Sequence, residues 1–108
     1  MRRGEVWTVS GGPDYASKPR PAVIVQNDIF FETASITICP ITSDDTDLPL
    51  LRVRIEPNDT NGLRLGSSVM VDKVMTVTRG KLGKPLGRLS DEQMIETGRL
   101  LSNFLALV

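Results

Sequence analysis

The sequence predicts a mainly β domain: a small, strongly curved antiparallel sheet or partly open barrel of short strands, with one C-terminal α-helix at about residues 90–107. Three observations carry this prediction. Short runs rich in β-formers recur through the chain, divided by clusters of Gly, Pro, Asn and Asp. One capped, amphipathic helical stretch stands at the end. No strand–helix–strand alternation, internal repeat or linker interrupts that order, which favours a curved antiparallel sheet over a parallel one. At 108 residues the chain has the length of a single domain, 1–108, large enough to hold a core without disulfide or metal staples.

Each element has its own signature. Glu5-Val6-Trp7-Thr8-Val9 is short and rich in β-formers, and predicts the first strand. Ser10-Gly11-Gly12-Pro13-Asp14 breaks it, and a loop of small, polar and basic residues extends to Pro19. Pro21 to Gln26 is almost continuously apolar, so this strand is expected to be buried on both faces, with Asn27-Asp28 ending it. Ser35 to Ile41 is the third strand, and Pro40 inside it implies an edge, a bulge or the strand's last residue. Thr42 to Asp47 is a polar, acidic loop. Leu50 to Ile55 alternates, with Leu51, Val53 and Ile55 on one side and Arg52 and Arg54 on the other, a half-exposed strand with one basic face.

Glu56 to Gly66 holds Pro57-Asn58-Asp59-Thr60-Asn61-Gly62 and reads as a turn-rich loop. Ser67 to Val71 and Thr76 to Thr78 are two further strands. Lys81 to Leu89 is interrupted by Gly83, Pro85 and Gly87 and is expected to hold at most a short irregular strand. Ser90-Asp91-Glu92-Gln93 is a capping box, with two carboxylates at the positive end of the helix dipole. Met94, Ile95, Leu101, Phe104, Leu105 and Val108 are expected on one apolar helix face, covering the sheet or building a dimer interface. Gly98 on that side is expected to admit another backbone.

Composition narrows the chemistry. The chain has no histidine, the commonest general base and metal ligand. Its single cysteine, Cys39, cannot form an intrachain disulfide, which suits a reducing cytoplasm. Cys39 lies in the apolar run Ile36 to Ile41, where a buried, inert thiol is expected rather than a nucleophile. Metal centres and cofactors are therefore not expected. No apolar run reaches transmembrane length, and the start, Met1-Arg2-Arg3-Gly4-Glu5, lacks the apolar stretch of a secretory signal. Net charge is zero, yet unevenly spread: residues 26–59 carry two basic and seven acidic side chains, and residues 60–90 carry six basic and one acidic. That pattern fits either a mixed solvated surface or a localised basic face on a neutral protein.

Several segments, taken together and in order, resemble the MazF/PemK toxins. They are Met1-Arg2-Arg3-Gly4-Glu5-Val6-Trp7, then Pro19-Arg20-Pro21-Ala22-Val23-Ile24-Val25-Gln26-Asn27-Asp28, then Pro40-Ile41-Thr42-Ser43. Val69-Met70-Val71-Asp72-Lys73-Val74 and Gly87-Arg88-Leu89-Ser90 follow, so the resemblance spans essentially the whole chain. It implies an SH3-like barrel with a C-terminal helix, acting as a homodimer. It also implies a ribosome-independent, metal-independent endoribonuclease that cuts single-stranded RNA at short motifs. Such toxins are held inactive by a MazE-like antitoxin whose disordered C-terminal tail lies along the RNA groove.

The same resemblance assigns candidate residues. Arg20 is implied to stabilise charge on the phosphoryl oxygens, and Thr42 to bond the phosphate or orient the attacking sugar. Prolines on both sides restrict the backbone of Arg20. Ser43, Lys18, Lys73 and Arg79 are candidate phosphate contacts. Asp72 is either an acceptor for a base amine or a structural carboxylate. Some family members carry a glutamate in the loop five residues before the arginine; this chain has Tyr15 there, next to Asp14. Tyr15 is the stacking candidate, and Trp7 is expected in the core. Two other classes remain open from sequence: a CcdB-like gyrase poison without nuclease activity, and a non-catalytic single-strand RNA-binding barrel.

Overall fold

The computed structural model describes residues 1–10 and 18–107. Seven strands appear among them: β1 (Glu5–Val9), β2 (Arg20–Ile24), β3 (Ser35–Thr42), β4 (Arg52–Ile55), β5 (Ser67–Met70), β6 (Met75–Thr78) and β7 (Leu82–Arg88). The helix α1 spans Asp91–Phe104. The strands form one antiparallel sheet in the order β4-β5-β3-β2-β1-β7, with β6 also paired to β3. The sheet does not close on itself, which agrees with a partly open barrel.

β2 is buried on both faces as its apolar run predicts. Val23 and Val25 join one core cluster with Val6, Ile41, Ile55, Val69 and Leu100. Ala22 and Ile24 join a second with Val9, Ile36, Ile38 and Leu82, against which Trp7 packs. Two cores on opposite faces of one strand pin its register, because a one-residue slip would exchange the two sets of side chains.

Pro40 is neither terminal nor on an edge. It pairs with Ala22 of β2 on one side. On the other side β3 pairs with β6 through Ser35–Ile38 and with β5 from Ile41 onward. Pro40 thus occupies the interval where one neighbour gives way to the next, a point where a missing N–H costs no ladder bond.

Two further elements differ from the sequence expectation. β7 is irregular as expected, its register with β1 shifting on either side of Trp7, but it is not short: it runs for seven residues. Its glycines allow close approach instead of breaking the strand. A Cβ on Gly83 would lie 2.6 Å from Thr8 Oγ1, the atom that accepts the Lys84 N–H at 2.8 Å. A Cβ on Gly87 would lie 2.1 Å from the Thr60 carbonyl oxygen. Pro85 is tolerated because β7 ends the sheet.

The helix begins at the expected box, where Ser90 Oγ accepts the Gln93 N–H at 3.1 Å and Gln93 Oε1 accepts the Ser90 N–H at 2.9 Å. It stops at Phe104, short of residue 107. Ala106 takes a positive φ of 57°, the Leu107 N–H reaches the Ser102 carbonyl and the Ala106 N–H reaches that of Asn103. This is a Schellman ending with alanine in the position usually held by glycine. The buried stripe is also not the expected one. Thr97 and Leu100 are fully buried and Met94 and Leu101 pack against the core, whereas Ile95, Phe104 and Leu105 are exposed. Thr97 is accommodated because its hydroxyl donates to the Gln93 carbonyl at 2.8 Å. Gly98 admits the Arg3 guanidinium, not a backbone: a Cβ there would sit 3.2 Å from Nη2.

This placement separates two leucine-sized positions on one helix. Leu100→Ala is expected to destabilise the protein by about 2–5 kcal/mol, and Ile95→Ala by less than about 0.5 kcal/mol, in urea unfolding.

Candidate active site

β2 starts where β3 ends. The β2–β3 ladder ends at Ala22 and Pro40; just beyond it Arg20, paired with Val9 of β1, and Thr42 line one cleft together. On the far side of β3, Thr42 faces Ser68 of β5. A cleft of about 620 Å³ opens over this junction. Lys18 to Pro21 form one side and Pro40 to Ser43 the strand end beside it, with Gly62 to Leu65, Ser67, Met70, Leu86 and Thr8 completing the lining.

Among the described residues the lining holds three cations, Lys18, Arg20 and Arg64, and no carboxylate. All three are exposed, and none has an ion-pair partner among the described residues. A concave surface of one sign concentrates anions. Hydroxyls of Thr8, Thr42 and Ser43 supply neutral donors beside them, while that of Ser67 donates to the Leu65 carbonyl at 2.8 Å.

Thr42 is oriented by its own loop. Its Oγ1 accepts the Asp44 N–H at 3.1 Å. A hydroxyl has one proton to give, and with an acceptor position occupied that proton remains available for an anion. Asp44 is in turn fixed by Thr46, whose N–H and hydroxyl donate to its Oδ1 at 2.9 and 2.7 Å. Those two hydrogen bonds, first from the side chain and then from the backbone, hold the Asp44 carboxyl below its ordinary pKa.

The opposite wall is carried by the connection between β4 and β5. The buried Asn61 side chain donates to the Glu56 carbonyl at 2.8 Å and accepts the N–H groups of Asn58 and Leu63 at 3.1 and 3.0 Å. Asn58 Oδ1 accepts those of Thr60 and Asn61 at 2.9 and 2.8 Å. Gly62 has φ +69°, and a Cβ on it would lie 2.1 Å from the Leu86 carbonyl oxygen. The turn is thereby clamped to β7 and delivers Leu63, Arg64 and Leu65 to the cleft. Sequence reading placed a loop here without singling out Arg64. Its available signals were the Asn-Gly turn and the basic excess after residue 60.

The other candidate residues lie outside the cleft lining. Asp72 faces Arg52 at 3.6 Å, and both are largely covered. Lys73 is exposed in the short turn after β5. Arg79 Nε donates to the Thr33 carbonyl at 2.6 Å, bracing the β2–β3 connection. Tyr15 and Asp14 lie outside the described residues. Cys39 is fully buried, and burial pushes its thiol up to about 12. Among the described residues, no three His, Cys, Asp or Glu side chains converge as a metal ligand set. No described helix is long and apolar enough to cross a membrane.

Residues 2–105 match the family model of the PemK-like, MazF-like toxins of type II toxin–antitoxin systems. The chain belongs to this family. It is 49% identical over 107 residues to a probable endoribonuclease MazF of Mycolicibacterium smegmatis, covering 99% of this chain and 98% of that protein. It is 30% identical over 116 residues to the endoribonuclease MazF9 of Mycobacterium tuberculosis, covering 99% and 98%. Among solved structures, a mycobacterial endoribonuclease in complex with its cognate antitoxin superposes with a TM-score of 0.83 at 25% identity, over 100% of this chain and 97% of that one. The chain is thus a toxin of the endoribonuclease type, and the gyrase-poison and passive RNA-binding readings are not favoured.

The Thr46–Asp44 contact gives the MazF-like toxin a measurable handle on its cleft. A folded-state pKa held low stabilises the loop above the carboxyl's unfolded value, and this contribution fades as pH falls through the folded value. In Thr46→Val, NMR titration of the Asp44 carboxyl is expected to show its pKa moving up towards the ordinary carboxylate range.

Proposed function

We propose that this toxin cleaves single-stranded RNA at the junction of β2 and β3, with Arg20 and Thr42 as its catalytic residues. The observation that supports this most directly is that Arg20 and Thr42 line one cleft whose described lining holds three cations and no carboxylate. In this reading the 2′-oxygen forms a bond to phosphorus and the bond from phosphorus to the 5′-oxygen breaks. The 2′-hydroxyl proton is lost and the leaving 5′-oxygen gains one. The products are a 2′,3′-cyclic phosphate and a 5′-OH end.

Negative charge accumulates on the non-bridging oxygens as the new bond forms. The Arg20 guanidinium meets that charge, and the Thr42 hydroxyl donates to the same phosphate. Lys18 and Ser43 bind flanking strand. A preorganised donor set of this kind accelerates reaction because it needs no rearrangement when charge appears. The described lining has no imidazole or carboxylate to move the protons. Water, or Asp14 or Tyr15 from the adjoining loop, fills that role, and the enzyme is correspondingly slow. Tyr15 also stacks on a base in this reading. Asp72 and Lys73 contact RNA at the margin of the groove, and Arg79 supports the strand farther along.

The partners follow the same chemistry. A MazE-like antitoxin blocks RNA by laying a disordered C-terminal segment along the cationic cleft. The exposed Ile95, Phe104 and Leu105 of α1 offer apolar area to a second copy in a homodimer. The toxin acts in the cytoplasm, where mRNA is found.

Cleavage of a long RNA is expected to persist in EDTA and to leave 5′-OH ends, read by end-mapping. Intact RNA with verifiably folded protein would sink the proposal. Arg20→Ala is expected to lower the rate roughly 10²–10³-fold, the range seen on removing one oxyanion donor. Thr42→Val should lose more than Thr42→Ser, which keeps the hydroxyl. A loss in Tyr15→Phe or Asp14→Asn as large as that in Arg20→Ala would identify the acid or base.

A further inference from the structure

Among the cations of the described cleft lining, Arg64 stands farthest in sequence from the family motif that carries Arg20. We propose that it is a second phosphate-binding site, holding the RNA backbone next to the phosphate held by Arg20. The inference rests on the endoribonuclease reading of the cleft and adds to it a second anchor, on the opposite wall.

Three observations carry it. Arg64 is exposed and lines the same cleft as Arg20. The other arginines of the neighbouring strand are engaged by carboxylates: Arg52 by Asp72 at 3.6 Å and Arg54 by Glu56 at 3.3 Å. Arg64 has no such partner among the described residues. The loop beneath it is built to hold position. Asn61 is 1% exposed and its side chain makes three hydrogen bonds to the backbone, the Arg88 N–H donates to the Thr60 carbonyl at 2.9 Å, and Gly62 and Gly87 allow the backbones to touch. Such a buried polar network fixes a unique loop shape at high cost if any member is left unpaired. It delivers to the cleft a guanidinium with no carboxylate partner among the described residues.

The chemistry favours phosphate over a base edge. Leu63 and Leu65 flank Arg64, and Leu65 is 64% exposed. Aliphatic neighbours give contact to a sugar or a base face without discriminating between bases, whereas a guanidinium binds a phosphate through its fork. The cleft volume of about 620 Å³ falls within the roughly 300–1,000 Å³ that encloses a drug-sized ligand, room for more than one phosphate. Two anchors on opposite walls would hold the strand across the Arg20–Thr42 pair and restrict its approach to in-line geometry.

The test uses the full chain and an RNA whose cleavage site has been mapped with the unmodified protein. A matching oligonucleotide with a 2′-deoxy sugar at the scissile nucleotide reports binding without cleavage. R64Q is expected to weaken that binding roughly tenfold at low salt and to flatten the dependence of log K on log salt by about 0.7, one phosphate contact on a single strand. R64K should recover the slope. KM should rise with kcat within about twofold, the pattern of lost uniform binding, and the cleavage sequence should not change. Arg54→Gln, outside the cleft, should leave slope and affinity as they are. An unchanged slope in R64Q, or a shifted cleavage sequence that marks Arg64 as a base reader, would overturn the inference. Failure of the unmodified protein to bind or cut any RNA would overturn instead the reading on which it rests.

Discussion

β3 is the strand on which the sheet depends, because it alone pairs with three others. It joins β2 along one side, and β6 and then β5 along the other. A strand with a change of neighbour partway must tolerate a gap in hydrogen bonding at the changeover. Pro40 has no N–H to leave unpaired there. The residues around it, Ile36, Ile38, Cys39 and Ile41, are all at most 4% exposed, so the strand is anchored on both faces while its pairing changes. Its terminal residue, Thr42, is therefore positioned by the most constrained element of the fold. Arg20 opens β2 two residues before the first β2–β3 pair, Ala22 with Pro40, and is held by its pairing with Val9 of β1.

A site built this way suits chemistry that stabilises charge more than chemistry that moves protons. Proton transfer needs a group with a pKa near the working pH. The described cleft lining contains only arginine and lysine among its ionisable side chains. The one thiol nearby, Cys39, is buried and pushed up to about 12, which leaves it neutral and out of reach. Electrostatic stabilisation needs only that donors be fixed where charge appears. Pairing with Val9 of β1 fixes the backbone from which the Arg20 side chain starts, and the Asp44 N–H orients the Thr42 hydroxyl.

Features set by one residue type or by local periodicity were legible in the sequence. The apolar run of β2 signalled burial on both faces, Ser90 and Gln93 signalled the helix start, and the Arg20 and Thr42 motifs signalled two residues that the fold brings together. Features set by tertiary contact were not. Gly83 and Gly87 read as strand breakers because the chains they accommodate, around Thr8 and Thr60, are distant in sequence. The helix face was misassigned because hydrophobicity alone ranks Ile95 above Thr97. Burial of Thr97 depends on a hydrogen bond within the helix and on which way the helix lies over the sheet. Arg64 was missed for a third reason. A single arginine in a turn has no periodicity, and its significance arises only when the connection between β4 and β5 brings it into the cleft that Arg20 also lines.

The neutral net charge of the chain and its cationic cleft are reconciled by how charge is paired. Four arginines away from the cleft face carboxylates: Arg2 faces Asp28, Arg52 faces Asp72, Arg54 faces Glu56 and Arg99 faces Glu96. The exposed pairs among them, all but the largely covered Arg52–Asp72, contribute little to stability, about 0–1 kcal/mol each. Their larger effect is on the field: each removes a positive charge from the surface and leaves the remaining cations to define its shape. Those that remain at the cleft are Lys18, Arg20 and Arg64, with no carboxylate among the lining residues to offset them. A uniformly basic protein would bind RNA wherever the strand touched it. Pairing four arginines elsewhere lowers the competing attraction of the rest of the surface, while the described cleft lining is concave and of one sign, so an encountering strand is favoured there.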